Sequence, residues 1–210
     1  MNDINAAMAS AEIEFWFEFG SNYSYLSVMR IEAAAARLQV PIRWKPFLLG
    51  PIFRTLGWDT SPFVLQKAKG EYVWKDMERG CRELGLPWKR PTTFPRTALL
   101  PMRVALVGAG HPWIGAYCRR IMSLNFAEDR EIDAPDVVGL VLEQLGLPAL
   151  QLIEEARSEP NKLKLREQTE AARDRGIFGA PTFLVGNEMF WGNDRLDDAL
   201  ACAGRQLTPK

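Results

Sequence analysis

The chain has 210 residues, of which 47% are hydrophobic and 10% aromatic, and this fits one domain or one domain with a large insertion. Lysine plus arginine total 26, as do aspartate plus glutamate, so the formal charge is zero. Nucleic-acid and anionic-membrane partners are therefore not expected, because proteins that bind them usually carry a basic excess. The sequence contains no run of about 18 apolar residues, so no membrane span is predicted.

Strand and helix signals alternate at the start of the chain. Residues 13–19, IEFWFEF, are aromatic and β-branched and predict a strand. Residues 22–38 are rich in alanine with apolar residues at three-to-four spacing, which predicts a helix. Residues 41–47, PIRWKPF, predict a second strand. A β-α-β unit of this kind predicts that the two strands pair in parallel.

The middle of the chain has a different character. Residues 49–62, LGPIFRTLGWDTSP, contain several glycines and prolines and are predicted to form a loop. From residue 63 to about residue 175, segments with helical spacing dominate. Strands return at TFLVG and EMFWG, with Asn187 in the turn between them, and a last helix follows. Because both ends supply strands of one sheet, we interpret the helical block as an insertion into an α/β domain.

Cysteine and histidine usage restricts the chemistry. The three cysteines, Cys81, Cys118 and Cys202, are far apart and form no C-x-x-C motif, so neither a disulfide framework nor a zinc site is predicted. The single histidine, His111, stands before a proline and is interpreted as a helix-boundary residue. No metal site and no Ser-His-Asp triad are predicted. The N-terminal ten residues lack the pattern of a secretory signal, and a cytoplasmic location is expected.

Ser21 stands where the first strand hands over to the first helix. Its residue type suits an N-cap, because a serine hydroxyl can accept from an N–H of the first turn. The same position also suits an anion or thiolate site, since the first-turn N–H groups have no intrahelical partner and the helix dipole favours negative charge. The opening segment alone does not decide between the two interpretations.

Pro181 follows Gly179 and Ala180 and precedes a strand. A trans proline is permitted at a strand start, and cis bonds make up only about 5–6% of X–Pro bonds. A cis bond would turn the backbone N–H and C=O of Ala180 toward a ligand.

Asn193 and Asp194 stand where the last strand meets the last helix. Either residue can cap that helix, and either can instead recognise an ammonium or amide group of a ligand.

Arg54 and Trp58 lie on the predicted loop and suit a carboxylate and an aromatic ring. Trp58 could equally cover the edge of the core.

Taken together, these features resemble a known family. The strand followed by FGSNYSYL and a helix, the helical insertion, and the closing FGAPTFLVGNEMFWGNDRL are similar to 2-hydroxychromene-2-carboxylate isomerases and kappa-class glutathione transferases. These families have a DsbA-like thioredoxin fold with an all-helical insertion. The resemblance implies thioredoxin-like parts at 11–50 and 176–205 and an insertion at about 51–175, all within one chain unit.

The resemblance also implies a cofactor and its site. Thioredoxin-fold oxidoreductases carry C-x-x-C at the start of the first helix, whereas this chain has Ser21-Asn22-Tyr23-Ser24. The implied cofactor is glutathione, with Ser21 as the catalytic residue that contacts its sulfur. The glutathione-binding residues implied by the motifs are Ser21, Ala180, Pro181, Trp191, Gly192, Asn193 and Asp194. The resemblance also implies that the peptide bond between Ala180 and Pro181 is cis. The residues implied to face the second substrate are Phe53, Arg54, Gly57 and Trp58.

Two positions depart from the pattern of the relatives. Asn22 stands where many relatives have proline, and Trp58 stands where several have an asparagine that contacts ligand. The implied function is a glutathione-dependent isomerase acting on a small aromatic hydroxy acid, with a homodimer compatible with the resemblance. The alternatives are a kappa-type glutathione transferase and a non-catalytic glutathione- or peptide-binding module.

Overall fold

The computed structural model describes residues 12–207. The N-terminal segment, for which no secretory signal is expected, lies outside them, as does residue 11 at the predicted domain start. Within this range the strands are β1 (Ile13–Phe17), β2 (Ile42–Pro46), β3 (Thr182–Val185) and β4 (Glu188–Trp191). The helices are α1 (Asn22–Arg37), α2 (Leu49–Thr55), α3 (Pro62–Leu65), α4 (Lys67–Glu83), α5 (Leu99–Gly108), α6 (Ile114–Phe126), α7 (Pro135–Gln144), α8 (Ala149–Arg157), α9 (Glu159–Asp174) and α10 (Leu196–Leu207). A 3₁₀ helix, Asn193–Arg195, precedes α10.

One mixed sheet joins the two ends of the chain. Its strand order is β2-β1-β3-β4. The parallel pairing of β1 with β2 is confirmed, and β3 pairs antiparallel with both β1 and β4. Helices α2 to α9 lie between β2 and β3 in sequence, and α5 and α9 contact β2. The exact division of the chain near residues 50 and 175 stays a prediction.

The alternation of side chains along β1 divides the core between the two faces of the sheet. Successive residues of a strand point to opposite faces. Phe15 packs on one face against Phe183, with ring centroids 5.3 Å apart. Trp16 points to the other face and meets Phe47 with a centroid distance of 5.9 Å. The strand is therefore buried on both sides, which explains its almost continuous run of large apolar residues.

The prediction of a loop over residues 49–62 is wrong for its first half. Leu49–Thr55 forms helix α2 although it contains Gly50 and Pro51. Pro51 is tolerated because it lies in the first turn, where backbone N–H groups have no intrahelical acceptor. The loop begins only after Leu56, where Gly57 adopts a positive φ of 77°.

The short helix α3 and the amphipathic helix α8 were not identified from the sequence. In α8, Ala149, Ile153 and Ala156 are buried at three-to-four spacing, a signal that was available in the sequence. Among the described residues, no helix combines the length and the apolar character needed to cross a membrane.

Candidate active site

Ser21 occupies the junction between β1 and α1 in an extended conformation and is the N-cap of the helix. Its Oγ accepts from the backbone N–H of Ser24 at 3.3 Å and donates to the carbonyl oxygen of Ala180 at 2.8 Å. The side chain is buried. The capping interpretation is therefore confirmed, and the same hydroxyl also connects the helix start to the segment that precedes β3.

Ala180 and Pro181 are joined by a cis peptide bond, as the motif predicted. Two hydrogen bonds fix the backbone around this bond: the Thr182 hydroxyl donates to Gly179 O at 2.9 Å, and Gly192 N donates to Pro181 O at 3.0 Å. A second cis bond joins Phe94 to Pro95 and was not predicted.

A cavity of about 1070 Å³ opens beside this junction. Its wall combines the start of α1, the region from α2 to α4, the segment around the second cis proline, and the end of β4. Large apolar side chains make much of the surface. Of the residues predicted to form the site, the cavity is lined by Ser21, Phe53, Trp58, Ala180, Trp191, Gly192, Asn193 and Asp194.

Three predicted residues do not line the cavity. Pro181 is buried behind its wall. Arg54 and Gly57 are exposed and are absent from the lining. The reason for Arg54 is helical geometry: Phe53 is buried and lines the cavity, and the next residue of a helix points about 100° away. The assignment of Arg54 to a ligand carboxylate was made on a loop that is in fact helix α2.

Asn193 is held by α1. Its Oδ1 accepts from Ser27 Oγ at 3.0 Å and from Arg30 Nε at 3.2 Å, and Arg30 Nη2 donates to Asn193 O at 2.7 Å. Asp194 differs, because its side chain is 77% exposed and Arg195, 3.7 Å away, is the one cation among the described residues that forms an ion pair with it. Among the described residues, neither the Asn193 nor the Asp194 side chain makes a capping hydrogen bond to the 3₁₀ helix, whose N-cap is Gly192.

Asn22 brings an unsatisfied polar group to the same wall. Its side chain is almost fully buried and lines the cavity, and its Nδ2 has no hydrogen-bond partner among the described residues. Buried amide groups are rarely left unpaired, because the loss of hydration costs about 1–3 kcal/mol. The unpaired amide next to Ser21 is therefore consistent with a ligand that supplies the missing partner.

Comparison with known proteins places this geometry in a family. A family model described as a DSBA-like thioredoxin domain matches residues 12–201. The chain belongs to the DsbA-like thioredoxin family. Its relatives include a 2-hydroxychromene-2-carboxylate isomerase of Sphingobium xenophagum, 30% identical over 88% of this chain and 94% of the relative. The isomerase of that name from Pseudomonas putida is 28% identical over 92% of this chain and 94% of its own length.

A solved structure and a second enzyme class complete the comparison. The structure of a 2-hydroxychromene-2-carboxylate isomerase superposes with a TM-score of 0.82 at 27% identity, covering 92% of this chain and 94% of that one. The human glutathione S-transferase kappa 1 is 25% identical over 88% of this chain and 87% of its length. The resemblance read from the motifs and the predicted DsbA-like fold are thus confirmed.

This DsbA-like chain lacks a reactive thiol of its own at the cavity. All three cysteines are buried, and none lines the cavity. Burial raises the pKa of Cys81 to about 11 and raises that of Cys118 well above its usual value, so both thiols stay protonated at neutral pH. Among the described residues, no group of three or more His, Cys, Asp or Glu side chains is arranged to hold a metal ion.

Lys69 is a cavity cation that the sequence did not single out. It lines the cavity from α4, and its Nζ lies 5.7 Å from the ring centroid of Phe63. The Lys69 ammonium group makes no hydrogen bond or ion pair with a described residue. Arg96 also lines the cavity, but its guanidinium is buried against Asp129 and Asn125. The hydrogen bond that Arg96 donates to Asp129 lowers the pKa of the Asp129 carboxyl. The positive charge of Arg96 is therefore already balanced by a carboxylate.

Two further titratable groups of the DsbA-like site were missed. Tyr23 lines the cavity and donates its hydroxyl to Asp76 at 2.8 Å. Burial, and then this hydrogen bond, raise the pKa of Tyr23, so the phenol stays neutral. Glu18 is half-buried and also lines the cavity, and desolvation of its carboxyl raises the pKa of that group to about 8. Neither effect follows from local sequence, because the surrounding atoms come from distant segments.

Proposed function

We propose that this chain is a glutathione-dependent isomerase of the 2-hydroxychromene-2-carboxylate type, which interconverts that compound with trans-o-hydroxybenzylidenepyruvate or acts on a related aromatic catabolite. The observation that carries the proposal is the Ser21 hydroxyl, which stands at a helix N-terminus in a large cavity where the fold's oxidoreductases have a thiol. The names of relatives that match about nine-tenths of the chain support the same activity.

The residues at the cavity fit glutathione. The tripeptide carries a thiol, an ammonium group and two carboxylates, and the cavity offers partners for the thiol and the ammonium group. Ser21 and the start of α1 suit a thiolate, since the N-terminus of a helix favours negative charge. Asp194 is exposed and can accept from the ammonium group. The unpaired Nδ2 of Asn22 adds a hydrogen-bond donor on the same wall.

The hydrogen bond from Ser21 to Ala180 must break if the Ser21 hydroxyl is to donate to the sulfur of glutathione. A hydroxyl has a single proton, so Ser21 cannot donate to Ala180 O and to a sulfur at the same time. We expect the Ser21 hydroxyl to turn to the sulfur when glutathione binds. The Ala180 carbonyl then accepts from a peptide N–H of glutathione instead, so that no buried acceptor is left unpaired.

Glutathione, when bound, supplies a thiolate that adds to the conjugated C=C bond, so that the bond becomes single and can rotate before elimination restores the thiol. The chain's part is to hold both partners together and to stabilise charge on the pyruvyl group. Phe53, Trp58 and Phe63 provide an apolar wall for an aromatic ring. Lys69 also lies at that wall, makes no ion pair with a described residue, and is our candidate for binding the substrate carboxylate. The sequence-based assignment of Arg54 to that role stays a prediction, although Arg54 does not line the cavity.

The second candidate function is conjugation, as in the kappa transferases, to which the chain is related at 24–25% identity. Both reactions use the same thiolate and differ in whether glutathione is released unchanged. The deciding experiment incubates the protein with a benzylidenepyruvate and a catalytic amount of glutathione and follows both compounds. Many turnovers per glutathione support isomerisation, whereas stoichiometric loss of the thiol supports conjugation.

A third function, binding without catalysis, predicts tight glutathione binding and no turnover in the same assay. A cytoplasmic location and a homodimer belong to the proposal as well. Light scattering on the purified protein measures the oligomeric state directly.

A further inference from the structure

Glu18 is placed at the cavity by the turn that joins β1 to α1. It follows β1 directly and stands three residues before Ser21. Its backbone carbonyl accepts from the Ser21 N–H at 3.1 Å, which fixes the two residues relative to each other. The start of the helix and the backbone of Glu18 therefore form one rigid corner.

The carboxyl group of Glu18 lies beside Gly20. Its Oε2 is 3.3 Å from the position that a Cβ would occupy on Gly20, the residue that immediately precedes Ser21. The same side chain lines the cavity that Ser21 lines. Among the described residues, no hydrogen bond or ion pair engages this carboxyl group. A carboxyl group without a protein partner is thus held at the wall where the sulfur is proposed to bind.

The charged groups around the cavity do not neutralise Glu18. On α4, Asp76 accepts from Tyr23, Arg79 lies 3.8 Å from Asp76, and Glu83 is exposed. Two more acidic groups line the cavity: Asp59 lies in the loop after α2, and Asp194 lies in the 3₁₀ helix after β4.

Two basic groups at the cavity are paired with other acidic side chains, Arg96 with Asp129 and Arg195 with Asp198. Lys69 makes no ion pair with a described residue, and its Nζ lies over the ring of Phe63. Desolvation of the Glu18 carboxyl is the cause of its raised pKa.

We propose that Glu18 is the proton acceptor for the thiol that binds at Ser21, an inference that rests on glutathione being the bound thiol. In its carboxylate form Glu18 takes the thiol proton onto a carboxyl oxygen, while the S–H electron pair stays on sulfur. In its acid form it returns that proton when the thiol is restored. One proton is thereby shared between the two groups, because two negative charges in one desolvated cavity repel each other.

The acidity of Glu18 suits this role. Its pKa of about 8 is close to that of an ordinary thiol, about 8.5, so transfer between the two groups needs little driving force. A carboxylate with an ordinary pKa near 4.3 would be a poor acceptor for a thiol proton.

Calorimetric titration with glutathione at pH 9, in two buffers of different ionisation enthalpy, measures the protons exchanged on binding. At this pH unbound Glu18 is largely ionised, and roughly a quarter of the free thiol is protonated. If one proton is shared in the complex, the wild type takes up roughly two-thirds of a proton. Glu18→Gln removes the acceptor, and this variant should instead release roughly a quarter of a proton.

Glu83→Gln is the matched control, because it removes an exposed carboxylate from the same cavity. It should take up protons like the wild type. Equal exchange in Glu18→Gln and the wild type, or proton release by the wild type itself, would overturn the role of Glu18 while leaving glutathione binding intact. Failure of the wild type to bind glutathione would instead overturn the proposed function and, with it, this inference. The wild-type measurement stands even if Glu18→Gln folds poorly.

Discussion

The Ser21 hydroxyl donates to the Ala180 carbonyl oxygen across 2.8 Å and 159 positions of sequence. This bond connects the N-cap of α1 to the residue before the cis proline, and both residues line one cavity. The bond satisfies the buried Ser21 hydroxyl and the half-buried Ala180 carbonyl without a ligand, and it must open for the hydroxyl to reach a sulfur. Ser21 is therefore both a structural cap and the residue proposed to meet the thiolate.

Ser21→Ala separates these two roles when it is compared with Ser158→Ala. Ser158 is the N-cap of α9 and accepts from Asn161 N at 3.3 Å, the same distance as in the Ser21 cap. Ser158 does not line the cavity. We expect Ser158→Ala to lose about 1 kcal/mol of stability, the usual effect of removing a cap, and Ser21→Ala to lose more, because its hydroxyl also donates to Ala180 O. Only Ser21→Ala should lose turnover, by about 10²-fold, because a donor to developing charge is gone.

Urea unfolding and initial rates measure the two effects. Equal turnover in Ser21→Ala and the wild type would show that Ser21 is only a cap.

Asp194→Asn tests recognition of the glutathione ammonium. The change keeps the size of the side chain and removes its charge. We expect glutathione binding to weaken by about 1.5–3 kcal/mol, the contribution of a charge-assisted hydrogen bond, with a nearly constant melting temperature. Asp198→Asn is the control, since Asp198 is exposed, pairs with the neighbouring Arg195 and does not line the cavity. Isothermal titration of the three proteins decides, and identical dissociation constants would exclude the assigned role of Asp194.

Lys69→Gln and Arg54→Gln distinguish the two candidates for the substrate carboxylate. Lys69 lines the cavity and Arg54 does not. We expect Lys69→Gln to raise KM for a benzylidenepyruvate by about 10-fold or more, because one charge-assisted contact is lost. Arg54→Gln should leave KM unchanged. Steady-state kinetics with glutathione in excess provide the comparison. The reverse pattern would restore the assignment made from the sequence.

Glu18 makes the stability of the protein depend on pH. The folded-state pKa of its carboxyl is about 8, against an ordinary value of 4.5, so the folded chain binds more protons than the unfolded chain between these values. The stability that Glu18 contributes is therefore complete below pH 4.5 and falls as pH rises toward 8, by at most about 1.4 kcal/mol per pH unit.

Glu18→Gln cannot ionise, so its unfolding free energy should decline less than that of the wild type over this range. Denaturant titrations from pH 4 to pH 9 measure the difference, with Glu83→Gln as the reference for removing a carboxylate. Parallel curves for Glu18→Gln and the wild type would show that the Glu18 carboxyl ionises normally.

The elements that sequence reasoning predicted are those whose signals are local. The aromatic run of β1, the Ala-rich α1 and the motif around Pro181 each stand in a few consecutive residues. Helix α2 was missed because Gly50 and Pro51 are usual in loops, although a first turn tolerates both. Because of that error Arg54 was placed on a loop, whereas in helix α2 Phe53 lines the cavity and Arg54 does not.

The missed groups depend on long-range packing. Burial of the Glu18 carboxyl, and the position of Lys69 on the cavity wall, arise from segments that are distant in sequence. Such surroundings determine the pKa of a group and its access to a ligand, and a single sequence gives no direct sign of them. The tertiary arrangement is therefore needed to find these residues.

None of the described residues that line the cavity is cysteine or methionine, so the walls offer no sulfur to oxidising agents. A nucleophile that arrives by diffusion can also be renewed by diffusion. If peroxide converts the bound thiol to a disulfide or a sulfenic acid, the oxidised glutathione can dissociate and a reduced molecule can bind in its place. The polypeptide itself needs no repair. The resistance of such an enzyme to oxidative inactivation then depends on the concentration of reduced glutathione around it rather than on its own cysteines.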